Sequence, residues 1–181
     1  MKHQSEKPLS LRCLNSNDIN SFELIRLDLL SGDKCNIYSV RLNDEMDTLF
    51  EQFLKKYADV FRDEVLDIYT RLKAIGKSVG LRNGFYKEHE GKPGDGVCAL
   101  YDIPNSHLRV YFIRYGADLI VVGGGGEKPK NIRTWQENKV LSNANMLMQW
   151  VSNKIKDATD NKDIRITDSG FEGELKIEPD N

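Results

Sequence analysis

The chain carries little that would support covalent or metal chemistry. Its three cysteines, Cys13, Cys35 and Cys98, are odd in number and show no CxxC spacing. Neither a disulfide framework nor a zinc site can be read from them, and a reducing cytoplasm is the expected compartment. There is no HExxH, no metal-spaced His/Cys set and no Ser/His/Asp order among 181 residues that include three histidines. No apolar run approaches membrane length, and the opening MKHQSEKPLS has no apolar leader core, so neither a membrane span nor a secretion signal is expected. Internal repeats and low-complexity tracts are absent as well.

What is present is an ordinary globular composition, 39% hydrophobic and 30% charged, in a chain long enough to bury a core. A formal net charge of −2 argues against non-specific coating of nucleic acid. The charge is unevenly spread, however. Residues 43–67 hold eight acids against three bases, whereas residues 109–133 hold five bases against two acids. Opposite signs in one chain predict a solvated acidic face and a separate cationic one.

Periodicity sets out the elements. FELIRLDLL (22–30) and CNIYSVRL (35–42) read as strands around a turn at Ser31-Gly32-Asp33-Lys34. Met46, Leu49, Phe50, Phe53, Leu54 and Tyr57 form a helical stripe with Asp44, Glu45 and Asp47 in its first turn. A second helix is expected from Asp59 as N-cap through Phe61, Val65, Ile68, Leu72 and Ile75, stopping near Gly76 and Gly80. Residues 80–96 read as a polar loop. Strands are expected at 97–102, 108–115 and 119–122, then a helix through Val140, Ala144, Leu147, Val151 and Ile155. A closing hairpin of 164–167 and 174–177 follows. The order predicts an α+β fold: an antiparallel sheet with a helical hairpin packed on it, plus an extra N-terminal strand and a C-terminal hairpin.

The segment with most functional content runs from Leu108 to Ile155, LRVYFIRYGADLIVVGGGGEKPKNIRTWQENKVLSNANMLMQWVSNKI. Gly123 to Gly126 followed by Lys128 fails the phosphate-loop rule, because no GK[ST] is in place. The glycines read instead as a loop leaving a strand, allowing another backbone to come close with cations beside it. Arg109 and Tyr111 alternate with Leu108, Val110 and Phe112, so they share the other face of their strand. On an open face, that pair could hold a phosphate and stack on a base. Lys128, Lys130 and Arg133 extend the cationic set, and Trp135 is either an aromatic platform or a lid on an apolar cluster. Lys87 lies in the 80–96 loop with Tyr86, Arg82 and His89. His89 and His107 read as solvated loop residues, and Asp63 and Glu64 as charges at a helix N-terminus.

The helical stretch FLKKYADVFRDEVLDIYTRLKAIG, followed by LRVYFIRYGADLIVVGGGGEKPK and a helix, resembles the RelE/ParE/HigB superfamily of bacterial type II toxins over residues 35–157. The resemblance implies an N-terminal extension at 1–34, a RelE-like core at 35–157 and a C-terminal hairpin and tail at 158–181. It further implies a cytoplasmic, ribosome-dependent mRNA endoribonuclease that needs no metal or cofactor. Such a toxin is held in check by an antitoxin, expected to be a small helix-turn-helix protein. Arg109 matches the arginine of the family's strand, and Lys128 or Lys130 with Arg133 matches the basic group after the last core strand; these four are the expected catalytic residues. Lys87, Tyr111 and Trp135 are the expected substrate contacts. The family's catalytic Tyr or His after that strand has no counterpart here, and the net charge is acidic where ribosome-directed members are basic. A non-catalytic module of the same fold, docking protein or nucleic acid through its cationic face, and a ParE-type gyrase inhibitor are the alternatives.

Overall fold

A computed structural model describes residues 19–128 and 138–178. Lys130, Arg133 and Trp135 lie outside the described residues, as does Cys13. Nine strands and three helices are described: β1 Phe22–Arg26, β2 Asn36–Leu42, α1 Leu49–Tyr57, α2 Arg62–Ala74, β3 Tyr86–Lys87, β4 Val97–Leu100, β5 Leu108–Tyr115, β6 Leu119–Glu127, α3 Lys139–Asp160, β7 Ile164–Thr167, β8 Gly170–Gly173 and β9 Lys176–Ile177. Seven strands form one sheet in the order β3-β4-β5-β6-β2-β1-β9, and β7 and β8 form a separate hairpin. The pairing is antiparallel except between β2 and β6, which run parallel at the centre. No helix among the described residues is long and apolar enough to cross a membrane.

Both faces of the sheet are covered. Ile37, Phe112, Ile120 and Val122 face α1 and α2, packing with Phe50, Phe53, Ile68 and Leu72. The alternate residues Val40, Tyr111, Ile113 and Val121 face α3, packing with Met148, Val151 and Ile155. This corrects the open sheet face expected beside Arg109: α3 lies on it, and Tyr111 is fully buried. Strands apolar on both sides are what a two-sided covering requires.

The local chemistry explains where the helices begin. Thr48 caps α1 in a capping box: its hydroxyl accepts from Glu51 N at 3.3 Å, and the Glu51 carboxylate accepts from Thr48 N at 2.8 Å. Asp44, Glu45 and Asp47 therefore precede the helix rather than form its first turn, and Met46 is 95% exposed instead of joining the stripe. Phe61, not Asp59, occupies the N-cap position of α2. That helix passes through Gly76 in one π turn, Ile75–Val79, and stops at Gly80, whose φ of +71° suits a residue without a Cβ. The amides of Lys34 and Cys35 both donate to the Gly76 carbonyl, which ties the β1–β2 connection to this turn.

Three further expectations are revised. The 80–96 loop contains a short edge strand, β3, which pairs Lys87 with Ala99. The closing hairpin is β7 with β8, not 164–167 with 174–177; Phe171 of β8 packs edge-on against Tyr38 and Tyr115, and residues 176–177 instead extend the main sheet beside β1. The glycine run is strand, not loop. None of Gly123 to Gly126 has a positive φ, and β6 continues through them to Glu127. Gly123 and Gly124 together oppose Tyr111 in a β-bulge. A Cβ on Gly125 would overlap the Arg109 carbonyl, one on Gly123 would strike the Met148 sulfur, and one on Gly126 would come within 2.8 Å of Val140. The expected close approach of a second backbone is thus real, and it occurs inside the sheet.

Candidate functional site

Three strand ends converge on one carboxylate. Asp102 sits two residues past β4. Its Oδ2 accepts from Lys87 Nζ of β3 at 3.0 Å and from an Arg109 guanidinium nitrogen of β5 at 2.9 Å, and Lys128 Nζ, just beyond β6, stands 3.0 Å away. The side chains of Asp102 and Arg109 are 10% and 13% exposed, those of Lys128 and Lys87 27% and 33%. Arg109 therefore forms the floor and the two lysines the rim. A second acid, Glu90, faces the other guanidinium nitrogen of Arg109 at 4.0 Å. Its backbone is anchored on both sides: Glu90 N donates to Val97 O, and the buried Asn145 of α3 donates its side-chain amide to Glu90 O at 2.8 Å.

The positions follow from the fold. Lys87 and Asp102 flank the β3–β4 pairing, and Arg109 stands opposite Gly126, next to Gly125, whose missing side chain makes room for the Arg109 carbonyl. Lys128 is held by its own amide, which donates to the His107 carbonyl at 2.6 Å. His107 is fixed in turn by Glu64 of α2, whose carboxylate accepts from the amides of His107 and Leu108 and lies 2.8 Å from His107 Nδ1. His107 also stacks on Phe61. It is thus a structural link rather than a solvated loop residue, and Glu64 serves as its clamp in addition to starting a helix. His89 is exposed, as expected.

Burial and pairing pull the two site carboxyls apart. For Asp102, burial alone would raise the pKa, but hydrogen bonds from Arg109, Lys128 and Lys87 outweigh it and bring it down to about 2. For Glu90, burial dominates and raises the pKa despite the attraction of Arg109 and Lys87. Glu64 is also lowered; burial opposes the change, and the hydrogen bonds from His107 and Leu108 prevail.

Several polar atoms of the cluster are buried without a hydrogen-bond partner among the described residues: Asp102 Oδ1, Glu90 Oε2, Arg109 Nε and the Tyr111 hydroxyl. Such atoms cost free energy unless something else meets them. The Tyr111 hydroxyl lies near Arg109 and Asn145 without a well-formed bond to either, and burial pushes its pKa up to about 12. Buried under α3, the ring of Tyr111 presents no face to a base. The exposed ring at this site is Tyr101, 46% exposed, with Lys87 Nζ 5.5 Å from its centre.

Compared with known proteins, the chain matches no family model, no curated protein and no solved structure. Of the seven positions singled out in the sequence, the fold brings Lys87, Arg109 and Lys128 together and places Tyr111 beneath them. Asp102, Glu90 and Tyr101 belong to the site and were missed. Their only signal in the sequence was position, an acid and an aromatic directly after a strand and an acid in a glycine-rich loop, and that carries no chemistry until the strands are aligned.

Away from this site, a cleft lies between α1 and α3 over Gly124 and Gly125, lined also by Gln52, Lys56 and Tyr57. The β2–β6 pairing ends at Val122, just before these glycines.

Proposed function

We propose that this protein is a RelE-like toxin that engages RNA phosphate through Lys87, Arg109 and Lys128 and cleaves mRNA on the ribosome. The observation that carries the reading is the convergence of three cations from separate strands within 3.0 Å of one point. Multiple fixed cations at a partly desolvated point are what stabilising a phosphate's developing charge requires. In the sequence, Lys128 is followed closely by two further cations, Lys130 and Arg133. In this reading the site works in the cytoplasm, and an antitoxin neutralises it by covering the lysine rim.

Expression in a bacterial host is expected to arrest growth, with cleavage of ribosome-bound mRNA. Replacing Lys87 and Lys128 together by alanine, or Lys128 with Lys130, should relieve the arrest while the circular dichroism spectrum stays unchanged. Harmless expression of the unaltered chain, with RNA intact, would sink the reading.

One observation favours a second reading, a non-catalytic module of the same fold. Asp102 already pairs with all three cations, and His107, whose carbonyl holds Lys128, is itself engaged by Glu64. That module would capture RNA or a partner protein and leave RNA full-length in the same assay.

A further inference from the structure

We infer that Asp102 is an internal substitute for the site's ligand: its carboxylate occupies the position of a phosphate oxygen, and an incoming phosphate group binds by exchanging with it. The inference rests on the reading that this site receives a phosphate, and it adds how the site is kept closed.

The coordination is that of an anion site rather than of an ordinary surface ion pair. A single oxygen, Oδ2, takes all three cations, Lys87 and Arg109 by hydrogen bonds and Lys128 at 3.0 Å. The other oxygen, Oδ1, is buried and has no hydrogen-bond partner among the described residues. Among the described residues the carboxylate is therefore held by the cations alone, with no backbone amide fastening it from behind. Asp102 also lies outside any strand, at the start of the β4–β5 connection, so its side chain can leave without breaking the sheet. The neighbouring Tyr101 is fastened independently, its carbonyl accepting from Arg71 of α2 at 2.7 Å.

The backbones that carry the cations are placed without Asp102. Lys87 is placed by the pairing of β3, Arg109 by β5 and Lys128 by its amide bond to His107. Glu90 remains within 4.0 Å of Arg109 as a second counter-charge after Asp102 leaves. With Asp102 displaced, three cations face one carboxylate, and the lysine rim is the side from which an oxyanion enters. A phosphodiester and free phosphate share the chemistry recognised; the half-exposed ring of Tyr101 beside Lys87 offers stacking only to the first.

The test compares the full chain with Asp102→Asn, which keeps the shape and removes the charge. A labelled single-stranded RNA oligonucleotide and inorganic phosphate are titrated separately at low salt, and the fold is checked by circular dichroism. Asp102→Asn should tighten both by about tenfold, the scale of removing one competing charge from a close pair. Adding Lys87→Ala and Lys128→Ala should abolish the gain. A folded Asp102→Asn that binds phosphate no more tightly than the unaltered chain overturns the inference, since Asp102 would then be organising the cations rather than competing with the ligand. If the variant does not fold, the unaltered chain still decides: the Asp102 carboxyl carbon resonance should move as phosphate saturates the site, and a static resonance at saturation overturns the inference. The two readings fail separately. Phosphate tightening without any RNA binding keeps the exchange and removes the RNA function, whereas equal RNA binding by both proteins keeps the function and removes the exchange.

Discussion

The two halves of β6 solve one packing problem in opposite ways. Leu119 to Val122 lie between β5 and β2, with Ile120, Val121 and Val122 fully buried and alternating between the two helical layers. Gly123 to Gly126 continue the same strand with no side chains, paired only with β5 among the described residues. In the first half, side chains fill the space between layers. In the second, three of the four positions leave no room for a side chain: Met148, the Arg109 backbone and Val140 occupy the space where a Cβ of Gly123, Gly125 or Gly126 would stand. Glycine normally weakens a strand. Here it lets β5 and β6 close up beside Arg109, and the strand delivers Lys128 to the site directly afterwards. Composition that reads as a loop therefore belongs to a strand in which three of four glycines leave no room for a Cβ.

The sharpest way to break this contrast is Gly125→Ala. The new methyl would overlap the Arg109 carbonyl, a backbone atom that cannot move aside without disturbing the sheet. A loss of about 3 kcal/mol is expected, at the upper end for overpacking. That corresponds to a fall in Tm of about 10 °C for a domain of this size, measured by thermal unfolding. A variant as stable as the parent would show that the glycine run is loop-like after all.

Acid titration tests the site at the end of β6. Asp102 is depressed from 3.8 to about 2 in the folded protein. A depressed carboxylate contributes stability that is fully present above its unfolded pKa and is lost as pH falls through the folded one. Asp102 should thus contribute about 2 kcal/mol near neutral pH, disappearing between about pH 4 and pH 2. Glu90 works in the opposite direction. Its raised pKa means that its charge opposes folding above that value, and protonation relieves the cost as pH falls. Denaturant unfolding at several pH values should therefore show Asp102→Asn losing the acid-dependent fall, and Glu90→Gln gaining stability at neutral pH. An Asp102→Asn protein with an unchanged pH dependence would place the acid sensitivity elsewhere.

The smallest effect is expected from Gly124→Ala. This glycine sits on the bulge, and a Cβ there would meet only the Leu49 carbonyl, at an ordinary 3.8 Å. Stability should stay within about 0.5 kcal/mol of the parent in the same denaturant measurement. A large loss at Gly124 together with none at Gly125 would invert the account of this strand.

Local order decided most of the elements. The alternation in 36–42 and 108–115 and the 3.6-residue stripe of Phe50, Phe53 and Tyr57 are consequences of where neighbouring side chains point, and they placed β2, β5 and α1 correctly. The mixed α+β class and a mainly antiparallel sheet followed from their order. Boundaries set by a single hydrogen bond were less legible: the Thr48 capping box moved the start of α1 past three acids that suit a helix N-terminus equally well.

What the tertiary structure alone decided is which residues meet. Alternation put Arg109 and Tyr111 on one face of a strand, but whether that face is open depends on where α3 docks, a contact between elements with no local signature. The cations at 87, 109 and 128 were visible as residues in the sequence; their common partner at 102 was not, because a shared partner is a property of strand register. The glycine run shows the same limit from the other side. Glycine permits both a loop and a close approach, and only the neighbouring backbone at Arg109 determines which of the two the chain uses.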